Sequence, residues 1–277
     1  MSITIPQLFS QIDKVPKVPE IVRTLISQVN DPNIDFSAVA DNVEKEQVIS
    51  MKVLHLVNSA HYSLPKKVGS IKQALVILGM NELKKLVITS GFINSTSNVP
   101  GINLDDFWID NFRTASYAKW LAEHSKQEHS DMIFTAGLIN SFGIILIHLG
   151  VPEIAKKIAT DIKLGQERID VEQKYLGFIN QKACAELCRQ WQFADDLIDT
   201  ILKSSSPLSF DDISLPACIV SIAKYISESS YSERTQEEIL AKFPHKEWQL
   251  IGLRNSDIES KIAMMMDLDT GIDGLLD

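Results

Sequence analysis

Cysteine is scarce. Three residues in 277, Cys184, Cys188 and Cys218, are too few for a disulfide framework and point to a reducing compartment. The first residues lack the basic-then-apolar pattern of a secretory signal. No segment alternates apolar and polar residues for long enough to make a half-buried strand. There is no phosphate-binding glycine loop, no dinucleotide turn and no zinc spacing. Cys184 and Cys188 stand four apart, but no histidine or further cysteine pair accompanies them, so they read as small packing residues. Basic charge is also short: 27 Lys and Arg face 36 Asp and Glu, a net charge of -9 that disfavours nucleic acid and anionic membrane as partners. The deficit lies mainly in the C-terminal quarter, where 13 acids face 6 bases from Ser204 onward.

What remains is helix, polar break, helix. Ile5–Phe9 reads as one helical turn, and Glu20–Val29 repeats apolar residues at helical spacing until Asn30-Asp31-Pro32 stops it. Asp35 is placed to cap Phe36–Glu44. Gln47–Val57 follows, with Val48, Met51, Leu54 and His55 expected inward. Ile71–Leu78 and Asn81–Phe92 are two more helices. A stretch rich in Ser, Asn, Pro and Gly from Asn94 to Asn103 is the expected crossing between two lobes, after which Phe107–Ala122, Glu153–Lys163 and Val171–Leu176 read as helices. An Asp170–Gln173 capping box is expected before the last of these. The tail carries Thr235–Glu238 and Ser256–Glu259 capping signals. The fold class is all-α. The expected division is an N-terminal helical lobe over 1–100, a second helical lobe over 101–230 and an acidic helical extension over 231–277.

The segment Ser130–Leu149 organises the rest. It is apolar on nearly every side, so as one helix it must be packed all round. It approaches membrane-spanning length, but Thr135, Asn140, Ser141 and His148 interrupt it, and a core helix is the expected reading. Asn140 and Ser141 lie side by side between Gly137 and Gly143, where glycines let other backbone come close. A buried amide or hydroxyl must be hydrogen-bonded, and Asp110 or Lys224 from neighbouring helices are the candidate partners. His148, two turns after Ser141, reads as a hydrogen-bonded core histidine.

Ala136–Gly143 resembles the "GLLHDIG" segment of the HD superfamily of metal-dependent phosphohydrolases, whose adjacent His and Asp bind metal. Leu54–Pro65 and Ser70–Gly79 resemble the "LLRLANSAYYGLP" and "SIRQAIALLG" segments of the HDOD family, the HD-related output domains of bacteria. Val18-Pro19-Glu20 resembles that family's "LPQ". The likeness extends to about Ser227. It implies an HD-like fold, a bacterial cytoplasmic protein and a regulatory role. Carried over residue by residue, the HD-site positions hold Asp110, Asn140, Ser141, Asn180, Ser221 and Lys224 in place of the ligand His and Asp residues. Water activation by a metal needs imidazole or carboxylate ligands, so the expectation is no catalytic residue, no metal and no cofactor.

The resemblance implies partners among histidine kinases, receivers or cyclic-dinucleotide enzymes, contacted in trans because no such domain lies within these residues, or else a small ligand. Asn58, Ser59, His61 and Tyr62 form a candidate interaction loop, with a structural role for Asn58-Ser59 at the helix end as the competing reading. The competing function is an HD-type phosphohydrolase with substituted ligands.

Overall fold

The structure is a computed structural model that describes residues 3–12, 24–25, 28, 35–45, 47–58, 62, 64–95, 98–191, 193–229 and 235–268. It is all-α, with no strand among the described residues. The helices are α1 (Ile5–Ser10), α2 (Phe36–Lys45), α3 (Gln47–Val57), α4 (Ile71–Ser95), α5 (Leu104–His124), α6 (Ser130–Ile139), α7 (Phe142–Gly150), α8 (Pro152–Lys163), α9 (Arg168–Leu176), α10 (Asn180–Gln190), α11 (Asp195–Lys203), α12 (Leu215–Ser229), α13 (Gln236–Ala241), α14 (His245–Leu250) and α15 (Ile258–Met266). Two compact units result: Met1–Val15 with Asn98–Thr270, and the segment Pro16–Ser97. The helix expected over Glu20–Val29 lies largely outside the described residues.

In the smaller unit α2 packs on α3 and α4, and α3 packs on α4. Asp35 caps α2 by accepting from Ser37 N at 2.9 Å. The inward face of α3 is Ile49, Val53 and Val57, while Met51 is 64% exposed and His55 is exposed. Leu54, also expected inward, is half-buried, and the Val48 side chain lies outside the described residues. This helix is apolar on two stripes, and burial favours the one spaced i, i+4, i+8. α4 bends at Gly79, whose φ of 76° ends one helical segment and starts the next.

In the larger unit α6 and α7 lie at the centre. α5 packs along α6 and α12, α11 along α6, α10 and α12, and α7 contacts α1, α8 and α10. Ser130–Gly150 is the one described stretch long and apolar enough to cross a membrane, and 78% of its most apolar window is buried inside the protein. It is not one helix. The Asn140 amide donates to the Gly137 carbonyl, an acceptor the next backbone N–H would otherwise use, and the helix breaks at Asn140-Ser141. On either side, glycines admit close crossings. A Cβ on Gly137 would stand 2.8 Å from Ala115 Cα of α5, and one on Gly143 would stand 1.9 Å from the Asn180 carbonyl oxygen of α10.

α9 starts at Arg168, earlier than expected, with no side-chain cap, so the Asp170 capping box does not form. Gly177 ends it with φ 81°. The Thr235–Glu238 capping box does form. α14 plants Trp248, fully buried, against α12, and its indole N–H donates to the Arg254 carbonyl at 3.0 Å. The three cysteines are buried and reduced. A hydrogen bond with Cys184, together with burial, holds the Cys188 thiol well above its ordinary value, and burial pushes Cys218 up to about 11. Both are poor nucleophiles.

Candidate functional site

The break between α6 and α7 meets α12 through Lys224 and α10 through Cys184, whose thiol donates to the Ile139 carbonyl at 3.0 Å. Ser141 ends the break with φ −93° and offers no side-chain cap to α7, because its hydroxyl is engaged elsewhere. Lys224 Nζ on α12 donates to Ser141 Oγ at 3.2 Å, and Ser141 Oγ donates to Asn140 Oδ1 at 3.0 Å. Asn140 is 1% exposed and Ser141 8%, so this chain of bonds is buried except at its lysine end. Ser141 reaches a neighbouring helix through Lys224, whereas the bonds Asn140 makes stay within its own turn. Lys224 also lies 3.9 Å from Glu228 one turn on. Ser221, one turn earlier on α12, is half-buried.

Asp110 on α5 does not join the chain. Its side chain is largely exposed and pairs with Arg113 at 3.4 Å. Its carbonyl accepts from Ser227 Oγ of α12 at 3.4 Å. Partial burial raises the Asp110 carboxyl above its ordinary value. Arg113 and Lys224 pull against that, and Glu228 and Asp106 add to it. Acids and bases at this corner of α5 and α12 therefore compensate one another.

Asn180 opens α10 on the far side of α7. Its N–H donates to Glu172 Oε2 at 2.7 Å, and its amide donates to both Glu172 oxygens at 3.0 and 3.2 Å. Glu172 is fully buried and also accepts from Arg168 at 3.3 Å. A carboxylate at a helix N-terminus answers both the free N–H groups and the helix dipole. Asn180 is thus a structural anchor, and its carbonyl is what presses on Gly143.

A divalent ion does not fit these residues. Asn140 and Ser141 offer neutral, weak donor atoms, and the Lys224 ammonium is hydrogen-bonded to one of them. A fixed positive charge at bonding distance from a would-be ligand repels the ion that the ligand would hold. Among the described residues no three His, Cys, Asp or Glu side chains come together.

In the smaller unit, Asn58 uses its amide on the carbonyls of Leu54 and Val68, both at 2.8 Å, and its oxygen on Val68 N at 2.7 Å. It ties the end of α3 to the chain beyond the loop. Tyr62 is half-buried, with burial and Glu82 raising its hydroxyl pKa. Ser59 and His61 lie outside the described residues.

His148 on α7 is bonded to the chain before α5. Its Nδ1 is 2.9 Å from the Pro100 carbonyl. Burial lowers its pKa below 6.5, the Pro100 bond opposes this, and Arg168 adds to it. The native state therefore binds fewer protons than the unfolded chain once the pH falls below about 6.5, and stability drops as acidity rises through that range. Thermal melts from pH 8 to 5.5 should show the wild type losing stability relative to His148→Phe. Parallel curves would count against this.

Two features had no clear sequence signal. Glu172 lies within the expected Val171–Leu176 helix, where nothing in the sequence marks it as buried. Lys203, 6% exposed, bonds Asp212 at 2.6 Å and Asp199 at 3.0 Å, and these hold the following loop against α11.

Comparison with known proteins places the chain. Over 199 residues it is 22% identical to an uncharacterized protein of Treponema pallidum, covering 69% of this chain and 37% of that one. Over 149 residues it is 24% identical to the cyclic di-GMP phosphodiesterase CdgJ of Vibrio cholerae, covering 52% and 33%. The chain thus spans well under half the length of these curated relatives. A candidate phosphohydrolase of Shewanella amazonensis superposes with a TM-score of 0.78 at 28% identity, over 97% of this chain and 96% of that one. An HDOD domain protein of unknown function from Geobacter sulfurreducens gives 0.73 at 22%, over 95% and 96%. The family model for the HDOD domain matches residues 15–207, most of the chain, and the chain belongs to the HDOD family.

Proposed function

We propose that this chain is a regulatory HDOD module in bacterial signalling that works by binding and performs no metal-dependent hydrolysis. One observation supports the second half: the Lys224 ammonium lies 3.2 Å from Ser141 Oγ, and both residues fall at positions that resemble the metal ligands of an HD enzyme. The charge that an ion would have supplied is built into the chain, and it joins α12 to the α6–α7 turn. The likeness to CdgJ, a cyclic di-GMP phosphodiesterase, supports a place beside cyclic-dinucleotide signalling, with a kinase, receiver or cyclic-dinucleotide enzyme as the partner class. The competing reading, a phosphohydrolase with substituted ligands, draws on the Shewanella likeness, but among the described residues no three His, Cys, Asp or Glu side chains come together to carry it out.

The test is stability. Lys224→Met should cost about 1–2 kcal/mol in urea unfolding, because a charge-assisted bond to a buried hydroxyl is lost. Asn140→Leu should cost about 1–3 kcal/mol by leaving the buried Ser141 O–H without its acceptor. Partner capture by either variant should fall only as far as the folded population does. Full stability with abolished capture would make the cluster a recognition site and overturn the structural assignment.

A further inference from the structure

A cleft of about 500 Å³ opens in the larger unit between α1, α10 and α11, on the outward side of α10. Its size lies within the range of small-molecule sites. Lys182, Glu186, Arg189 and Gln190 recur at i, i+4, i+7 and i+8, so one face of α10 forms its floor. The opposite stripe of α10, with Ala183, Cys184, Leu187 and Cys188, is buried in the core and fixes the helix. Ile5 and Phe9 of α1 and Leu202 of α11, all half-buried, supply the apolar walls.

The α1 wall is built without help from a ligand. Thr4 and Gln7 form a reciprocal capping box at its start. Leu8, fully buried, presses on Gly150, where a Cβ would come within 2.7 Å of Leu8 Cδ1. The cleft is therefore preorganised.

Its charge runs against that of the chain. Glu186 is already answered by Arg189 and Gln190, both at 3.4 Å. The Lys182 ammonium has no hydrogen bond or ion pair among the described residues, and Arg189 retains unused donors beside its one long contact. In a protein of net charge -9, this leaves a locally cationic rim over apolar walls. We infer that the cleft binds a small amphiphilic anion: a compact apolar or aromatic body against Ile5, Phe9 and Leu202, with one carboxylate, sulfonate or phosphate at Lys182 and Arg189. The site is separate from the Asn140–Ser141–Lys224 cluster and stands or falls independently of the proposed function.

The probe is anilinonaphthalene sulfonate, titrated by fluorescence into the full chain, with uncharged N-phenylnaphthylamine as its counterpart. The wild type should bind the sulfonate saturably at one site. The double variant Lys182→Glu with Arg189→Glu should weaken it by about tenfold or more, through loss of charge-assisted contacts and added repulsion. It should leave the neutral compound within about twofold. Phe9→Ala should weaken both compounds. Lys157→Glu, on the exposed face of α8, should change neither. Unaltered melting curves for the charge variants separate binding from folding. The inference is overturned by no saturable binding, by sulfonate affinity unchanged in the double variant, or by an equal loss in Lys157→Glu.

Discussion

Gly143→Ala should destabilise the larger unit by more than about 3 kcal/mol, the scale of a severe overpacking change. The new Cβ would lie 1.9 Å from the Asn180 carbonyl oxygen, 2.6 Å from its carbon and 3.0 Å from its Cα. These are backbone atoms at the start of α10 and cannot step aside as a side chain would. Asn180 is also held from behind by Glu172, so relief on one side breaks bonds on the other. Gly69→Ala, where nothing lies within 4 Å of the added carbon, is the control and should be close to neutral. Chemical unfolding followed by circular dichroism gives both values. A Gly143→Ala protein as stable as the wild type would show that α7 and α10 do not meet in this way.

Removal of Glu172 should be nearly as costly. Glu172→Ala leaves the first N–H of α10 and the Asn180 amide without their acceptor, while Arg168, 36% exposed, can turn to water, and about 2–3 kcal/mol is the expected loss for stranding these buried donors. Glu172→Gln keeps the shape but turns one end into a donor facing donors, so it should fall between the wild type and alanine. The ordering wild type, Gln, Ala in urea midpoints is the observable. Equal midpoints for all three would remove Glu172 from the account of α10.

The all-α class and most helices are legible because helical periodicity, caps and breakers are local signals: Asp35 before α2, Gly177 after α9 and Thr235 before α13 act where they stand. The faces of strongly apolar helices are less legible. In α3 two apolar stripes compete, and only tertiary burial decides between them. The break at Asn140 was hidden for a related reason. Apolar residues continue on both sides of Asn140-Ser141, and what stops the helix is a single side-chain bond to Gly137. The glycines of Ala136–Gly143 did announce close contact, but not with which helix.

The candidate site divides in the same way. The positions that resemble the HD ligands, and the lysine at residue 224 among them, can be named one by one from the sequence. That Lys224 reaches Ser141 while Asp110 turns to Arg113 depends on how α5 and α12 are rotated, which no single helix encodes. Glu172 was invisible because an acid in a polar helix looks solvated until the following helix returns over it.

The central claim is that a built-in ammonium and its hydrogen-bonded partners stand where an HD enzyme would hold its ions. It is tested most directly by elemental analysis after exposure to manganese, iron(II) and zinc, followed by desalting without chelator. The account predicts far less than one equivalent of any metal on the wild type, and no change in Asn140→Ala. Retention of one equivalent or more by the wild type, lost in Asn140→Ala, would contradict it.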